Sequence, residues 1–334
     1  MSIRSPGSRP AEVITLGECL ISFVAADAAP IAAAGSFRPY PAGAEANVAV
    51  GLARLGRRVA FIGRIGDDGL GTRVERALRG EGVDVTGLTV DPAGPTGIMI
   101  RERRVLGPAE VFYARAGSAG SRLGHEDVQA TASRKAFASA RWLHLTGITP
   151  ALSSRCGAAV LTAIELGRAA GLTISLDVNL RRRLWSEAEA TATLVELAAL
   201  VDVIIADEDE ASVITRAKTG TAERALAKRL LALGPSLAVL KLGARGALAL
   251  EQDDEPVTAP GLPVPLVVDP VGAGDAFCAG FIDARLDDLD LADALTRGNA
   301  CGAAVVAVEG DQTGLPPRDE LVRLLAVGGP DTLR

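Results

Sequence analysis

Near its C-terminus the chain reads Val268-Asp269-Pro270-Val271-Gly272-Ala273-Gly274-Asp275-Ala276-Phe277, and this stretch decides the fold. The residues before the glycines predict an extended strand, and those after them predict an amphipathic helix. The apolar face of that helix consists of Phe277, Gly280, Phe281 and Ala284. The first N–H groups of a helix have no intrahelical acceptor, and small side chains let a phosphate approach them closely. Gly272, Ala273 and Gly274 are therefore predicted to form a phosphate site.

Asp275 follows these glycines, and the sequence leaves two roles open for it. Asp is a favoured residue at helix N-caps, where its carboxylate accepts a backbone N–H bond. Alternatively, the carboxylate stands beside a bound phosphate and takes the proton from an attacking hydroxyl group. The second role would make Asp275 a catalytic base for phosphoryl transfer.

The composition favours an enzyme with a sizeable core. The 334 residues are 48% hydrophobic and 23% charged, which is typical of a globular α/β protein. The net charge of -6 provides no basic surface for nucleic acid or for an anionic membrane, so neither is expected as a partner. An anionic substrate would need cations placed locally in its site.

The cysteines and histidines argue against a metal centre and against secretion. The four cysteines are far apart in sequence and predict reduced structural thiols, at Cys19, Cys156, Cys278 and Cys301. One of only two histidines, His144, lies in an apolar run and is expected to pack within a strand. The N-terminus has no apolar signal region, and we expect a cytoplasmic protein.

Apolar runs alternate with helical-period segments along most of the chain. The predicted strands are Val13–Leu16, Val59–Gly63, Trp142–Thr146, Thr173–Val178, Val201–Ile205 and Ala238–Lys241. The predicted helices are Ala44–Leu55, Leu70–Arg79, Ser154–Ala170, Ala222–Leu233 and Ala276–Leu286. This alternation predicts an α/β fold with a mainly parallel central sheet and helices on both faces. We expect one domain over residues 1–334.

Two segments, at about residues 20–40 and 96–115, do not fit the alternation. They contain short extended runs, such as Gly97–Arg101 and Glu110–Arg115, without helical period. Such runs could form a small separate β-sheet that acts as a lid over the mouth of the main sheet. Ordinary surface hairpins are the alternative.

Two common nucleotide-binding patterns are absent from the sequence. No GxxxxGK[ST] is present, which excludes a P-loop. The first predicted strand leads through Leu16-Gly17-Glu18 into apolar residues, without the glycines of a dinucleotide site, so an NAD-dependent oxidoreductase is disfavoured.

Together with a second motif, the C-terminal stretch resembles the signatures of the PfkB, or ribokinase-like, carbohydrate kinase family. The second motif runs from Ala42-Gly43-Ala44-Glu45-Ala46-Asn47 through Leu52-Ala53-Arg54-Leu55-Gly56 to Gly63-Arg64-Ile65-Gly66-Asp67-Asp68-Gly69. The resemblance covers essentially the whole chain. It implies a ribokinase-like fold, ATP and Mg²⁺ as cofactors, and phosphoryl transfer to a sugar, and it leaves a monovalent cation such as K⁺ open.

Within that family the chain is most similar to the 2-keto-3-deoxygluconate kinases. The similarity lies in the segments Phe112–Ser121, Leu143–Leu152 and Ser175–Arg181 and in the following Trp185. It implies phosphorylation of a sugar acid at its terminal hydroxyl. Other kinases of the family, for 5-dehydro-2-deoxygluconate, fructose or ribose, and a non-catalytic sensor remain alternatives.

The same resemblance implies roles for individual residues. Substrate would contact Gly43, Ala44, Glu45, Ala46, Asn47, Tyr113, Arg115, Arg181 and Asp311. The nucleotide and its phosphates would contact Asn179, Asp207, Lys241, Gly243, Gly246, Gly272, Gly274 and Asn299. The acidic segment 207–210 occupies the place of the family's Asn-x-x-Glu motif, so Glu210 would assist the magnesium ion indirectly.

Arg115 and Arg181 give a separate physical reason to expect an acidic substrate. A desolvated carboxylate requires a cationic partner, and the planar guanidinium of arginine fits it best. Arg115 ends a predicted lid strand and Arg181 follows a core strand, so both could reach the mouth of the sheet. A phosphate ligand is an equally open reading for Arg181, and lid packing is one for Tyr113.

Three residues depart from the family pattern. Ala42 stands for a glycine, Met99 for a substrate-facing aromatic residue and Asp207 for an asparagine, which bears on the exact sugar and on the metal geometry.

Because a small lid sheet has free edges, a homo-oligomer, taken as a dimer, is expected.

Overall fold

The computed structural model describes residues 10–27, 29–103, 110–133, 136–252 and 254–326. The strands are β1 Val13–Leu16, β2 Leu20–Ala25, β3 Phe37–Ala42, β4 Val59–Gly66, β5 Asp84–Asp91, β6 Ile98–Arg101, β7 Val111–Ala114, β8 Trp142–Thr146, β9 Thr173–Asp177, β10 Val203–Asp207, β11 Leu237–Lys241, β12 Ala247–Glu251 and β13 Val257–Ala259. The helices are α1 Ala44–Arg54, α2 Gly69–Gly80, α3 His125–Ser133, α4 Ala136–Ser139, α5 Ile148–Leu152, α6 Ser154–Ala169, α7 Glu187–Ala198, α8 Glu208–Ile214, α9 Glu223–Leu231, α10 Ala273–Leu286, α11 Leu291–Val306 and α12 Arg318–Ala326.

The main sheet has the strand order β13-β12-β11-β10-β9-β8-β1-β4-β5. Every neighbouring pair from β11 to β5 is parallel, and only β12 and β13 pair antiparallel at one edge. Each of the six predicted strands is present, and β1 and β8 have the predicted bounds. The mainly parallel sheet is therefore confirmed.

Helices cover both faces of this sheet. Adjacent residues of a strand point to opposite faces, and in β1 the fully buried Val13 and Ile14 belong to two different hydrophobic clusters. The cluster around Val13 contains apolar side chains of α1, α10 and α11, and the cluster around Ile14 contains those of α6, α7 and α9. His144 is fully buried in β8, which confirms its predicted packing within a strand.

The two segments that broke the alternation form a second, four-stranded sheet with the order β3-β2-β6-β7. In it β2 pairs antiparallel with β3 and parallel with β6, which pairs antiparallel with β7. A small apolar cluster of Leu20, Ala42 and Met99, with Tyr113 against it, lies on one face. We call this sheet the lid sheet; within the predicted lid segment 96–115, residues 104–109 lie outside the described residues.

One sequence-based expectation is wrong. The run before the glycines is not a strand, and its residues Leu266, Val267 and Val268 are exposed. Pro263 and Pro265 provide no N–H group for a sheet ladder, which disfavours a paired strand there. The run is held by the end of α11 instead, because the N–H groups of Val268 and Asp269 donate to the carbonyl of Val306.

None of the helices in the described ranges combines the length and hydrophobicity that crossing a bilayer requires. The four cysteines are all buried as free thiols.

Candidate active site

A cleft of about 400 Å³ lies between the carboxyl edge of the main sheet and the lid sheet. Ligands of open α/β sheets bind at this edge, because the loops that follow parallel strands meet there. The end of β9, the end of β10 and the end of β11 supply Asn179, Asp207 and Lys241 to its wall. The predicted site residues that line it are Gly43, Ala44, Glu45, Asn47, Tyr113, Arg115, Asn179, Arg181, Asp207, Glu210, Lys241, Gly243, Gly272, Gly274, Asp275 and Asp311.

The glycine turn forms the floor of one half of the cleft. Gly272 precedes α10 with a left-handed φ of 86°, and a Cβ there would lie 2.6 Å from the carbonyl oxygen of Asp311. The next residues open α10, so the first N–H groups of the helix have no acceptor within it, and that of Ala273 donates to the carbonyl of Pro270 at 3.4 Å. A Cβ on Gly274 would lie 3.3 Å from Nζ of Lys241. The turn is therefore an open cradle for an anion, with an ammonium group beside it.

Asp275 is the third residue of α10, and its carboxylate is buried at the base of this cradle. Asn47 Nδ2 donates to its Oδ2 at 2.7 Å, and Asn179 Nδ2 donates to its Oδ1 at 3.3 Å. The N-cap of α10 is Gly272, without a side-chain cap bond, so the capping role for Asp275 is wrong. Its carboxylate is held by two side chains from separate segments.

The protonation of Asp275 is set chiefly by its burial. Burial raises the pKa of Asp275 from 3.8 to about 7, against the hydrogen bond from Asn47, while the negative charge of Asp177 raises it further. The charges of Arg181 and Lys241 oppose the shift. A carboxylate with a pKa near neutrality is suited to accept a proton from a hydroxyl group.

Lys241 supplies a fixed positive charge next to the turn. Its Nζ donates to both oxygens of Asp177, at 2.7 and 2.9 Å, and that carboxylate is almost fully buried. Burial opposes the charged form of Lys241, but Asp177 and Glu210 raise its pKa above the ordinary value. Lys241 thus remains an ammonium group at the edge of the cradle.

The carboxylates of the acidic segment at the end of β10 accept hydrogen bonds mainly from backbone N–H groups. Asp207 and Glu210 form a capping box at the start of α8. Glu210 Oε1 accepts from the N–H of Leu180 at 2.8 Å, and Oε2 accepts from the N–H of Asp207 at 2.9 Å. Burial raises the pKa of Glu210 to about 7. Within the described ranges no group of three or more potential metal-ligating side chains is present.

The other half of the cleft lies under the lid sheet. Tyr113 stacks with Arg115, whose guanidinium carbon is 5.4 Å from the ring centroid. The guanidinium also forms an ion pair with Glu18, which accepts a hydrogen bond of 2.6 Å from Ser118. Arg115 and Glu18 are both buried, so the predicted carboxylate-binding arginine already has one anionic partner.

Glu45 is a second buried carboxylate in this half. Its Oε1 accepts from Thr146 Oγ1 at 2.8 Å and from Thr149 Oγ1 at 2.5 Å. Burial raises the pKa of Glu45, while the threonine bonds and the charge of Arg115 lower it. Arg181 differs, because among the described residues its guanidinium has only the carbonyl of Leu180 as a hydrogen-bond acceptor and no carboxylate partner.

Four predicted site residues lie outside the lining of the cleft. Ala46 is fully buried in α1, and Ala273 opens α10. Asn299 donates from Nδ2 to the carbonyls of Ala259 and Pro260, both at 3.1 Å. Gly246 packs against the same two residues, because a Cβ there would lie 2.0 Å from the Ala259 carbonyl oxygen. Their assigned contacts remain predictions.

Sequence reasoning missed several lining residues. Glu18, Leu20 and Ile148 line the cleft, and so does Met99, which was singled out only as a departure. A usable signal existed for Glu18, which follows β1 by two residues and so stands at the carboxyl edge of the sheet. Nothing in the local sequence distinguishes Leu20 or Ile148 from core residues.

The fold and this cleft define a phosphoryl-transfer enzyme of the α/β class, and comparison with known proteins specifies the family. The model of the pfkB family carbohydrate kinases matches residues 10–318, so the chain belongs to that family. The ribokinase-like fold predicted from the sequence is confirmed, and the protein is a carbohydrate kinase.

Individual relatives match over nearly their whole length. The chain is 38% identical to a 2-dehydro-3-deoxygluconokinase of Bacillus subtilis, over 94% of this chain and 95% of that protein. A solved 2-dehydro-3-deoxygluconokinase of Thermotoga maritima superimposes with a TM-score of 0.86 at 27% identity, over 94% and 99% of the chains. An aminoimidazole riboside kinase of Salmonella enterica, solved with its riboside and an ATP analogue, has a TM-score of 0.79 at 28% identity, over 94% and 99%.

Proposed function

We propose that this protein transfers the γ-phosphoryl group of ATP to the terminal hydroxyl of 2-keto-3-deoxygluconate, also called 2-dehydro-3-deoxygluconate, and releases the 6-phosphate. The proposal rests on the cleft between the two sheets and on the relatives that carry this activity in their names. We further propose that both sheets belong to one domain and that the lid sheet covers the sugar.

The observation that carries the proposal is the buried carboxylate of Asp275 at the base of the glycine turn. The substrate hydroxyl attacks the γ-phosphorus in line, its proton passes to Asp275, and the bond to the departing ADP oxygen breaks. Asn47 and Asn179 orient the carboxylate for this transfer. Its pKa of about 7 leaves much of it ionised, and thus able to accept the proton, at neutral pH.

The residues of the turn fit the phosphates of ATP. The N–H groups at the start of α10, which have no acceptor within the helix, and the ammonium of Lys241 would hold the transferring phosphoryl group. Gly274 leaves the cradle open, because its missing Cβ would stand against Lys241. A bound Mg²⁺ would neutralise phosphate charge, and it commonly uses few protein ligands besides the phosphates and water. Both carboxylate oxygens of Glu210 already accept hydrogen bonds from backbone N–H groups, so Glu210 would act on that ion indirectly.

An acidic substrate is supported by the cations of the cleft. Arg115 and Arg181 both line it, and Arg181 is exposed and close enough to lower the pKa of Asp275. Arg181 has no carboxylate partner among the described residues, so it could pair with a sugar carboxylate on entry, whereas Arg115 would share its charge between the substrate and Glu18, and this pairing avoids the cost of desolvating an isolated charge. Four buried thiols are consistent with a reducing compartment, and we propose a cytoplasmic location.

A substrate panel tests the proposal. ADP release is measured with 2-keto-3-deoxygluconate, 5-dehydro-2-deoxygluconate, fructose and ribose at matched concentrations. We expect kcat/KM for 2-keto-3-deoxygluconate to exceed that for fructose and for ribose by about 10–100-fold, which corresponds to the free energy of a charge-assisted hydrogen bond.

The 6-deoxy analogue of the sugar acid is the matched control, because it keeps the carboxylate and lacks the accepting hydroxyl. It should inhibit without being phosphorylated. Equal or better turnover of fructose or ribose would contradict the proposed substrate and leave a neutral-sugar kinase of the same family.

A further inference from the structure

Arg101, at the end of β6 in the lid sheet, lies outside the cleft lining and is almost fully buried. Its guanidinium contacts two carboxylates. Nη1 donates to Asp269 Oδ1 at 3.1 Å, and Nη2 donates to Asp269 Oδ2 at 2.5 Å and to Asp311 Oδ1 at 3.2 Å. Arg101 therefore joins a lid strand to two residues that lie far from it in sequence.

These contacts complete the coordination of the Asp269 carboxylate. Besides Arg101, Oδ1 accepts from the N–H of Val271 at 3.2 Å, and Oδ2 accepts from the N–H of Gly310 at 3.0 Å. Asp269 thus links the backbone just before the glycine turn, at Val271, to the backbone at Gly310, next to Asp311. Each oxygen receives one guanidinium and one backbone donor, a two-pronged geometry that lysine cannot reproduce.

The same cluster sets the position of the turn itself. Gly272 packs on the backbone of Asp311, since a Cβ there would lie 2.6 Å from the Asp311 carbonyl oxygen. Asp311 in turn lines the cleft and is bonded to Arg101. A shift of the Arg101 guanidinium would therefore move Asp269, Asp311 and the turn between them.

Charge makes the arrangement sensitive to Arg101. Asp269 and Asp311 are both buried, and Arg101 is the cation that the structure places against both. Two buried carboxylates that lose their shared cation repel each other, and a buried ion left without its partner is strongly destabilising. The turn would then relax away from its present geometry.

We propose that Arg101 is a positioning residue for phosphoryl transfer, which couples the docking of the lid sheet to the geometry of the glycine turn and of Asp311. It acts through Asp269 and Asp311 and does not touch the substrates. The proposal rests on the kinase function of the cleft and is independent of which sugar is the acceptor.

Arg103 provides a matched control two residues further along the lid. Its Nη1 donates to Glu309 at 3.0 Å, so it joins the lid to the same C-terminal segment without contacting Asp269 or Asp311. A general role in holding the lid would be shared by both arginines. A role in positioning the turn would belong to Arg101 alone.

The experiment compares Arg101→Met with Arg103→Met, using the sugar that the wild-type protein phosphorylates fastest. Because a displacement of about 1 Å can cost about 10²-fold in rate, we expect kcat of Arg101→Met to fall by that order. The Arg103→Met variant should stay within about twofold of wild type, as expected for a partly exposed substitution. Both are assayed well below their melting temperatures.

Chemical rescue separates positioning from loss of fold. Millimolar guanidinium chloride should raise the kcat of Arg101→Met about tenfold, because the guanidinium ion can occupy the vacated site. Potassium chloride at the same ionic strength should not raise it. Equal effects of the two salts, or equal losses in the Arg101 and Arg103 variants, would overturn the proposal.

Arg101→Lys keeps the proposal testable if the methionine variant does not fold. It retains the charge but loses the two-pronged contact, so its kcat should still fall, and wild-type kcat would overturn the proposal. Binding of a fluorescent ATP analogue is the readout that is independent of the sugar. Because the turn is the proposed phosphate site, the affinity for this analogue should fall in Arg101→Met and recover with guanidinium chloride but not with potassium chloride. If no sugar of the panel were phosphorylated, the proposed substrates would fail, and this binding result would still decide the role of Arg101.

Discussion

The cleft has two halves that are built in different ways. The turn half consists of Asn179, Lys241 and residues 272–275 and rests on the main sheet, whereas the lid half consists of Glu18, Glu45, Met99, Tyr113 and Arg115. The turn half presents backbone N–H groups that have no acceptor within α10, and the ammonium group of the partly buried Lys241, which is paired with Asp177. In the lid half, the guanidinium of Arg115 is already paired with Glu18, and Glu45 already accepts hydrogen bonds from two threonine hydroxyls.

This difference suggests a division of labour. Backbone groups at a helix start are fixed by the fold and suit a reaction component, such as a phosphate, that is the same for every substrate. Side chains from separate segments of the chain can be exchanged without changing the fold, and they suit the recognition of one sugar. Catalysis is therefore expected to depend on the turn half and specificity on the lid half.

The largest expected effect comes from Asp275→Asn in the turn half. Loss of the base should lower kcat by about 10²–10⁴-fold, while the affinity for ATP changes little. Steady-state kinetics and binding of a nucleotide analogue measure the two quantities. Asp293 is the third residue of α11, as Asp275 is of α10, and it is exposed, so Asp293→Asn is a matched control that should keep wild-type rates. Near wild-type kcat in Asp275→Asn would remove it from the mechanism.

A smaller and more selective effect is expected from Arg115→Met in the lid half. Loss of a charged hydrogen bond should raise KM for the sugar acid by about 10–100-fold, and KM for ATP should change much less. Initial rates with each substrate varied in turn provide the comparison.

Glu18→Gln is the companion variant, because it removes the anionic partner of Arg115 and can retain the hydrogen bond from Ser118. With Arg115 less neutralised, KM for the sugar acid should fall or stay the same. If both variants raised KM for acidic and neutral sugars alike, packing would explain the lid half better than carboxylate recognition.

The smallest effect is a graded dependence on pH. Because the pKa of Asp275 is raised to about 7, protonation removes the base as the pH falls below that value. We expect kcat/KM to decline about tenfold per pH unit on the acid side. The pKa of Glu210 is also about 7, so Glu210→Gln is compared at each pH. The acid limb should persist in Glu210→Gln and vanish from the residual activity of Asp275→Asn; the reverse result would assign the limb to Glu210.

Much of the main sheet could be predicted, because its central strands are short apolar runs separated by helical periods. The strands β5, β12 and β13 were not predicted. The pattern of β5 is weak, since it lies at the sheet edge with several partly exposed residues and Gly87 within it. The helices α3, α4, α5, α7, α8, α11 and α12 were also missed. The strand expected before the turn failed because an apolar run can be held by a neighbouring helix end as well as by a sheet.

The site divides in a similar way. Asp275 and the turn could be located because they are adjacent in sequence and open a helix. The partners that set their properties could not, since Asn47 and Asn179 reach Asp275 from 228 and 96 residues away. The ion pair between Arg115 and Glu18 could not be predicted either, because the two residues are far apart in sequence. It means that the charge of Arg115, which was expected to be free for the substrate, is neutralised within the protein.

The amino-acid sequence by itself determined the family, the alternating architecture and the position of the phosphate cradle, because the hydrophobic period and the Gly-Ala-Gly-Asp motif are properties of residues that are close in sequence. Only the tertiary structure decided the pKa of Asp275, the partner of each arginine and the link of Arg101 to the turn. Burial and ion pairing depend on which distant segments meet, and that depends on the packing of the whole chain.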